Sequence, residues 1–527
     1  MDPHLTWQLR IDQAETFRFW IACGATLVLA AGLALRIAGH PGRLRHTRTA
    51  LLVCLALGTL FAWWHPYRGS LRAWLHVGDA YHYYLGAKYF DELGYTRLYD
   101  CTIVADAEAG YRDRLEKSFY RDLETNRIES SLGALADPRS CKRHFEPRRW
   151  QAFSTDVAWF RAKLDFPAWK RLRSDHGYNA PPSWTAQGRP LASASPAGRA
   201  QFFFLTSLDP LLLAAMFGAV AWGFGVPAAC VAFVFWGTNQ PASWTWVGGG
   251  ILRYDWLAAA VGSLCCLRRG KPVAAGLLLA WATGLRIFPI AIGVGLGFAE
   301  LGRMIRARSL RPAPDAFRFG TALATGLLGV VVVSSALVGP TSWIDFAKNS
   351  RLHLASDTVN RTGLRPLLAY RPQEQLAHTL KPRARDPYAS WRRLRAATLE
   401  ERRVLHVAIV LAACALLGTA ASRQPHWIGG ALGVGFVPIL TELGSYYFSV
   451  LVVFALLWTV REAVGVALLA FAAASWTIGS WQQAPDVLTM RTSLGIVLLV
   501  IFTALAFLRP EAAPWGAPSS PDAEQAP

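Results

Sequence analysis

A carboxylate followed by a run of aromatic residues is the feature of this sequence that most directly suggests chemistry. Asp79 follows an apolar stretch at about residues 49–65. Tyr81, Leu85 and Tyr89 then recur at intervals of four, which predicts a helix with one aromatic face lying at the membrane surface. An acid near the end of a membrane span is costly unless it faces water or a protein cavity. We therefore expect a carboxylate at the edge of the bilayer, where it could act on a substrate that is partly lipid.

The other polar residues that could take part in chemistry lie at the ends of predicted spans or in two long polar segments. They are Asn179 in segment 66–200, Arg253 and Asp255 at the start of the fifth span, Arg286 between the sixth and seventh spans, His353, Asn360 and Arg361 in segment 340–402, and Glu442, Tyr446 and Tyr447 between the tenth and eleventh spans. Convergence of such groups from distant parts of a chain favours one shared site.

Several of these residues also have a purely structural interpretation. Asp79 could cap the helix that follows it. Arg253 and Asp255 do not face each other on a helix and could each pair with a different helix. Arg286 could extend to lipid headgroups, and the tyrosine pair could belong to an aromatic belt at the membrane surface. The histidines are scattered without metal-ligand spacing, so no metal is expected.

The composition places the chain among polytopic membrane proteins with large polar loops. Hydrophobic residues make up 53% of the sequence, yet 17% of the residues are charged,. The formal net charge of +19 could serve nucleic-acid binding. Because the basic residues flank apolar spans, they fit anionic headgroups and lipid-linked phosphates better. Membrane lipids are therefore expected partners, and nucleic acid is not.

The apolar stretches predict an all-α membrane protein with about thirteen transmembrane helices. They lie near residues 16–38, 49–65, 201–222, 225–238, 250–268, 271–285, 287–300, 317–338, 403–421, 427–440, 444–461, 463–480 and 490–508. The short ones can only be packed inside the bundle or beside a cavity. The first stretch is too long for a signal-peptide core and lacks a basic leader, so we expect it to be retained.

These spans divide the chain into six parts. They are two transmembrane helices in 1–65, a first outer loop in 66–200, six helices in 201–339, a second outer loop in 340–402, five helices in 403–508, and a tail in 509–527. The tail is rich in Pro, Ala and Ser and is expected to be disordered in the cytoplasm.

Basic residues in short loops predict the orientation. Arginines and lysine at 43–48, 268–271 and 303–311 fall on one side, which the positive-inside rule makes cytoplasmic,. The basic run at 391–403 lies on the other side, but in a loop of a length at which the rule weakens. Both long polar loops then face outward, where an oxidising compartment would let Cys101 pair with Cys141.

The order of several motifs gives the chain a family resemblance over about residues 70–460. The motifs are Asp79 to Phe90, Asn179-Ala180-Pro181-Pro182, Ala274 to Gly284 followed by Arg286-Ile287-Phe288-Pro289, His353 through Asn360-Arg361-Thr362-Gly363-Leu364, and Ser445-Tyr446-Tyr447. In this order they resemble the GT-C superfamily of glycosyltransferases, and most of all the family 87 polyprenol-phosphate-mannose-dependent mannosyltransferases. Arg286 stands where lysine is more usual, and the outer segment 91–178 is larger than the family pattern.

The resemblance implies a GT-C-like bundle in the bacterial inner membrane, with juxtamembrane helices in large outer loops and an active site facing the periplasm or cell exterior. It implies transfer of a mannose-like hexose or pentose from a polyprenyl-phosphate donor to a glycan or glycolipid acceptor, without a cofactor. Such transfer needs a base, for which Asp79 is the candidate, and cations for the leaving phosphate, for which Arg286 and Arg253 are the candidates. The other polar residues named above would bind substrate.

Two other functions fit the same sequence. A lipid-linked glycan polymerase or ligase would share the lipid-phosphate leaving group. A transporter could also use broken helices, although no internal repeat relates the two halves of the chain. Transfer by purified protein without a membrane gradient would separate an enzyme from a transporter.

Overall fold

The structure is a computed structural model that describes residues 3–64, 75–243, 248–481 and 483–508, with side chains described from residue 12 onward except for Trp64. It is 75% helical and 2% strand. The prediction of a mostly helical protein is therefore confirmed. The predicted disordered tail, 509–527, lies outside the described residues.

Seven helices in the described part of the chain are long and apolar enough to cross a membrane. A helix needs about 20 residues to cross a bilayer, and the shortest of the seven has 19. They are Pro3–Ile37, Arg45–Trp64, Arg199–Phe224, Pro314–Val338, Arg403–Ser422, Glu462–Ser480 and Pro485–Ala506. These helices indicate a membrane protein.

The other six predicted spans are also helical, but they are shorter or less apolar. They are Val226–Thr238, Asp255–Arg268, Pro272–Leu285, Ile290–Ala307, the pair His426–Gly433 and Phe436–Leu440, and the 3-10 helix Ser445–Val453 continued by Phe454–Leu457. A short 3-10 turn, Gln240–Ala242, follows the first of them. The total of about thirteen spans stays a prediction.

One predicted boundary moves in a way that matters for the site. The sequence predicts the fifth span over 250–268, whereas its helix begins at Asp255. The residues before it form a loop in which Gly249 and Leu252 have positive φ angles of 78° and 50°. Arg253 therefore lies in this loop and not on a helix.

Glycines let the short helices approach one another closely. Ile290–Ala307 packs on His426–Gly433 so tightly that a Cβ atom on Gly295 would lie 2.2 Å from the carbonyl oxygen of Gly429. Small residues allow this approach where packing of side chains against lipid gives no hydrophobic gain. The close contact helps to bury His426–Gly433, which is too short to span a bilayer and has every residue from Trp427 to Gly433 buried,.

The predicted cytoplasmic loops meet at one end of the bundle. Contacts that join them include Arg36 with Glu462 at 3.3 Å, His426 with Glu300 at 2.7 Å, the Gln424 amide with the Phe507 carbonyl at 2.9 Å, and the Arg268 guanidinium over the Trp427 ring at 5.2 Å. The helix ends that carry the candidate site residues lie away from these contacts. Which end faces the cytoplasm stays a prediction.

The first outer segment is built from short helices and one hairpin. The helices are Val77–Ala80, the π-helical turn Tyr81–Leu85, Gly86–Lys88, Phe90–Leu93, Leu98–Asp106, the π-helical turn Ala107–Tyr111, Arg112–Leu115, Leu132–Ala136, Arg139–Lys142, Pro147–Arg161, Phe166–Leu172 and Pro182–Ser193. The antiparallel strands Phe119–Asp122 and Arg127–Ser130 form the hairpin.

The aromatic face predicted at the membrane surface is instead the core of this segment. Tyr81, Leu85 and Tyr89 are all fully buried. The Tyr81 ring packs edge-on against Phe160 and Trp169, with centroids 5.7 and 5.2 Å away. The four-residue spacing thus describes one shared face, but that face is covered by protein.

A disulfide bond crosses the first outer segment. Cys101 and Cys141 are joined, with their Cα atoms 5.4 Å apart. The bond links Leu98–Asp106 to Arg139–Lys142, the pairing that the sequence predicts for an oxidising compartment,. Nearby, Asp106 accepts hydrogen bonds from Arg161, Trp169 and Arg173, so its charge is fully engaged in holding the segment together.

The second outer segment contains Ser342–Leu354, Leu364–Ala369, the 3-10 turn Pro372–Glu374, Leu376–Thr379 and Ala389–Glu401. Its short strand Arg361–Thr362 pairs antiparallel with Leu443–Gly444, just before the tyrosine pair. The two outer segments also touch, because the Asn126 amide donates to the Leu352 carbonyl at 3.0 Å.

Candidate functional site

Asp79 and Arg253 form an ion pair where the first outer segment meets the membrane helices. The two residues are 174 positions apart in sequence. The Asp79 backbone N–H donates to Nδ1 of His76 at 3.1 Å, so His76 is the residue that caps the helix. The alternative in which Asp79 serves as the cap is therefore wrong, and its carboxylate instead pairs with Arg253.

The surroundings of Asp79 keep it ionised. Burial raises the pKa of its carboxyl group, but the charges of Arg253, His76 and His82 outweigh this effect, and the pKa lies below its ordinary value,. The side chain remains 22% exposed, so the carboxylate is not sealed off. It can accept a hydrogen bond or a proton from a group that enters from outside.

Arg253 is fixed from two further directions. Its guanidinium carbon lies 4.4 Å from the centre of the Tyr446 ring, a cation–π distance. Its backbone N–H donates to Oδ1 of Asp209 at 2.8 Å. Asp209 is not among the residues that the sequence analysis selects, although an acid inside the apolar span 201–222 is a signal that could have found it.

Arg286 lies at the break between Pro272–Leu285 and the next helix, and all its partners are neutral. Its guanidinium donates to the hydroxyl of Tyr447 at 3.1 Å, to the hydroxyl of Tyr83 at 3.3 Å, and to the carbonyl of Leu285 at 2.7 Å. Among the described residues, no carboxylate lies within 4 Å of it. Its positive charge is thus held in place without being neutralised by an ion pair.

Tyr83, which the sequence analysis also misses, connects these groups. Besides accepting from Arg286, its hydroxyl donates to Oδ1 of Asn179 at 3.0 Å. The Tyr446 and Tyr447 rings are 4.5 Å apart and link Arg253 to Arg286. They are therefore part of the site and not only a belt facing lipid.

Asp255 borders the same group of residues. Its carboxylate accepts from the Gln187 amide and is close enough for its charge to act on Arg286. We call the whole group the junction cluster: Asp79, Tyr83, Asn179, Arg253, Asp255, Arg286, Tyr446 and Tyr447. It unites all but four of the predicted catalytic, phosphate-binding and substrate-binding residues.

The other four predicted residues lie in a second group. Glu442 forms ion pairs with Arg395 and, at 3.5 Å, with Arg365. Arg395 also pairs with Asp357 at 3.3 Å. Burial raises the pKa of the Glu442 carboxyl group, whose side chain is only 5% exposed. Glu442 thus pairs with two arginines of the second outer segment.

The remaining members of the second group are bound mainly to the backbone. Arg361 donates to the carbonyl oxygens of His353 and Leu354, at 2.7 and 3.2 Å. The Asn360 carbonyl accepts from the Ser445 N–H at 2.8 Å. Burial and the charge of Arg361 lower the pKa of His353 to about 4, so its ring is neutral at pH 7.

We call this group the outer hub: His353, Asp357, Asn360, Arg361, Arg365, Arg395 and Glu442. Within the part of the chain that the structure describes, no hydrogen bond or ion pair joins its side chains to those of Asp79 or Arg286. The predicted site residues therefore lie in two groups in the structure, and a single site that uses both stays a prediction. Groups of three or more side chains arranged to hold a metal ion are not found among the described residues.

Comparisons with protein-family models, with curated proteins and with solved structures find no match to this chain. The resemblance to the GT-C glycosyltransferases therefore rests on the motifs of the sequence.

Proposed function

We propose that this protein is a membrane glycosyltransferase that moves a sugar from a polyprenyl-phosphate donor to a glycan or glycolipid acceptor. The observation that supports the proposal most is the state of Arg286. Its guanidinium is held by two tyrosine hydroxyls at the ends of apolar helices, and the Tyr446–Tyr447 pair connects it to the ion pair of Asp79 and Arg253. An anion carried by a lipid would meet an unneutralised cation at that place.

The reaction proposed for the junction cluster is a displacement at the anomeric carbon. The acceptor hydroxyl oxygen forms a bond to that carbon, and the bond from the carbon to the phosphate oxygen breaks. Asp79 takes the hydroxyl proton, as a general base must. The electron pair leaves with polyprenyl phosphate, whose growing charge Arg286 stabilises.

Arg286 is better suited than Arg253 to hold the donor phosphate. A phosphate oxygen that replaces a tyrosine hydroxyl gives the cationic donor an anionic acceptor, and arginine–phosphate pairs are among the strongest hydrogen bonds because they are often bidentate. Arg253, by contrast, already pairs with Asp79. Its proposed role is to keep Asp79 ionised and oriented. Of the two arginines that the sequence assigns to the phosphate, only Arg286 therefore keeps that role.

The finer features of the protein belong to the same proposal. We place it in a bacterial inner membrane with both outer segments and the junction cluster facing the periplasm or cell exterior. The positive-inside rule supports this orientation, since the basic loops meet at the opposite end,. A GT-C-like arrangement of about thirteen spans accommodates the six shorter helices next to the seven long ones.

Purified protein tests the proposal directly. It is incubated in detergent, without any membrane gradient, with radiolabelled polyprenyl-phosphate mannose or a pentose analogue and a panel of glycan acceptors. We expect transfer by the wild type and by Arg303→Ala, a control at the opposite end of the bundle whose native arginine pairs with Glu300. Arg286→Ala should lower transfer about ten-fold or more. Absence of transfer from every lipid-phosphate sugar, or full transfer by Arg286→Ala, would contradict the proposal.

A further inference from the structure

A carboxylate inside a long apolar helix holds the loop that carries Arg253. Asp209 lies in Arg199–Phe224 and is fully buried. Its Oδ1 atom accepts hydrogen bonds from the backbone N–H groups of Arg253, at 2.8 Å, and Tyr254, at 3.1 Å. An acid in such a helix is costly and usually functional. Here it satisfies two backbone donors that have no helical partner at the start of Asp255–Arg268.

The loop needs this support because of its backbone conformation. Leu252 has a φ angle of 50°, a left-handed conformation that a residue with a Cβ atom rarely adopts,. On the other side of the loop, the Gly249 carbonyl accepts from the His76 N–H at 2.9 Å. The loop is thus held between the outer segment and the membrane helix, and it turns sharply between the two.

We infer that Asp209 is a positioning residue of the junction cluster. By fixing the N–H groups of Arg253 and Tyr254, it places the Arg253 guanidinium where it pairs with Asp79 and lies over Tyr446. Its effect on the reaction rests on the proposed function, whereas its effect on the loop does not. Among the described residues, the hydrogen bonds of the Asp209 carboxylate go to the loop backbone alone.

Hydrogen–deuterium exchange of the full-length purified protein tests the effect on the loop. Asp209→Leu removes both hydrogen bonds and suits an apolar helix, so peptides covering 248–256 should exchange at least ten-fold faster than in the wild type. Asp209→Asn keeps an acceptor oxygen and should exchange at nearly the wild-type rate. Thr206→Val is the matched control, because among the described residues the Thr206 hydroxyl bonds within its own helix, to the Phe202 and Phe203 carbonyls.

A second substitution uses the unusual backbone angle of Leu252. Glycine adopts a positive φ angle without steric cost, so Leu252→Gly combined with Asp209→Leu should restore part of the slow exchange. The same double variant is used if Asp209→Leu alone is not recovered folded. Failure of the double variant to fold, while Asp209→Asn folds, would assign Asp209 to folding of the bundle and contradict the inference.

Enzyme kinetics separate positioning from a purely structural role of Asp209, because only positioning would lower turnover without changing the KM for the donor lipid. Asp209→Leu should lower turnover at least ten-fold while the KM for the donor lipid changes less than three-fold, because Arg286 is untouched. Asp209→Asn should keep most of the turnover. Unchanged exchange in folded Asp209→Leu, or equal losses in both variants, would overturn the inference. Faster exchange in a protein whose wild type transfers no sugar would instead refute only the proposed function.

Discussion

The junction cluster and the outer hub contain the same kinds of side chain but pair them differently. In the outer hub, Glu442 is shared by Arg395 and Arg365, and Arg395 also meets Asp357. In the junction cluster, one carboxylate meets one arginine, and Arg286 has only neutral partners. In the outer hub both acids are thus paired with arginines, and in the junction cluster the partly exposed Arg286 remains available as a cation.

The carboxylate of the junction cluster is also more accessible to solvent than that of the outer hub. The Asp79 side chain is 22% exposed, whereas that of Glu442 is 5% exposed. A buried carboxylate with two arginine partners gains by staying where it is, because breaking such a pair leaves a buried charge. The proposal therefore assigns the reaction to the junction cluster and not to the outer hub, although both contain acids and arginines at neighbouring helix ends. An unneutralised charge within reach of solvent is the distinguishing feature.

The largest effect is expected from Asp79→Asn. The variant should fold, because His76 caps the helix, but its amide cannot take a proton. Transfer should fall about 100-fold or more, within the usual range for loss of a general base. The measurement is turnover at saturating donor, with the exposed Asp113→Asn as the matched control. Near-normal transfer would move the reaction away from the junction cluster.

Arg286 should follow with a smaller loss. Arg286→Ala removes the cation of the cluster that no carboxylate neutralises, and should cost about ten-fold or more in turnover or donor affinity. Arg286→Lys keeps the charge but not the planar fork, so it should retain part of the activity. Titration of a fluorescent polyprenyl phosphate would measure the affinity. Equal binding by wild type and the alanine variant would leave Arg286 as a residue that only contacts headgroups.

A substitution of Glu442 tests whether the outer hub is structural. Glu442→Gln leaves Arg395 and Arg365 without their shared anion, so the free energy of unfolding should fall by about 3 kcal/mol. Transfer by the folded fraction should stay within about three-fold of the wild type, since Glu442 lies outside the junction cluster and touches no reacting group. Thermal denaturation and turnover are measured on the same preparation. A loss as large as that of Asp79→Asn would make the outer hub catalytic.

The smallest expected effect is a shift along the pH axis. Burial raises the pKa of Asp79, but Arg253 and the histidines bring it below its ordinary value. Activity that needs the ionised carboxylate should therefore persist as the pH falls, and decline only below the ordinary pKa of an aspartate. Arg253→Ala removes the main lowering charge, so the acid limb of the pH–rate profile should move upward. An unmoved limb would mean that another group titrates.

The sequence predicts which residues belong to the junction cluster better than it predicts which of them pair with one another. The positions of Asp79, Arg253 and Arg286 at predicted span ends are sufficient to expect them near one another. Their pairing is not predictable, because Asp79 and Arg253 meet only through the tertiary packing of segments 174 residues apart. Hydrophobic periodicity carries no information on which of several arginines meets which acid.

Two further differences have specific causes. The spacing of Tyr81, Leu85 and Tyr89 predicts a shared face correctly, but periodicity cannot tell whether protein or lipid covers that face. The helical start predicted at 250 is too early, because Gly249 and Leu252 adopt positive φ angles that an apolar composition does not reveal. The loop they form is what brings Arg253 to Asp79.

Photo-crosslinking of a donor analogue tests the central claim most directly. A polyprenyl-phosphate sugar with a photoreactive group on the sugar is bound to purified wild-type protein, irradiated, and mapped by mass spectrometry. We expect labelled peptides at 79–90, 248–256, 286–289 and 444–448, with labelling lost in Arg286→Ala and retained in Glu442→Gln. Labelling confined to 353–371 and 391–402, in and around the outer hub, would contradict a donor site at the junction cluster.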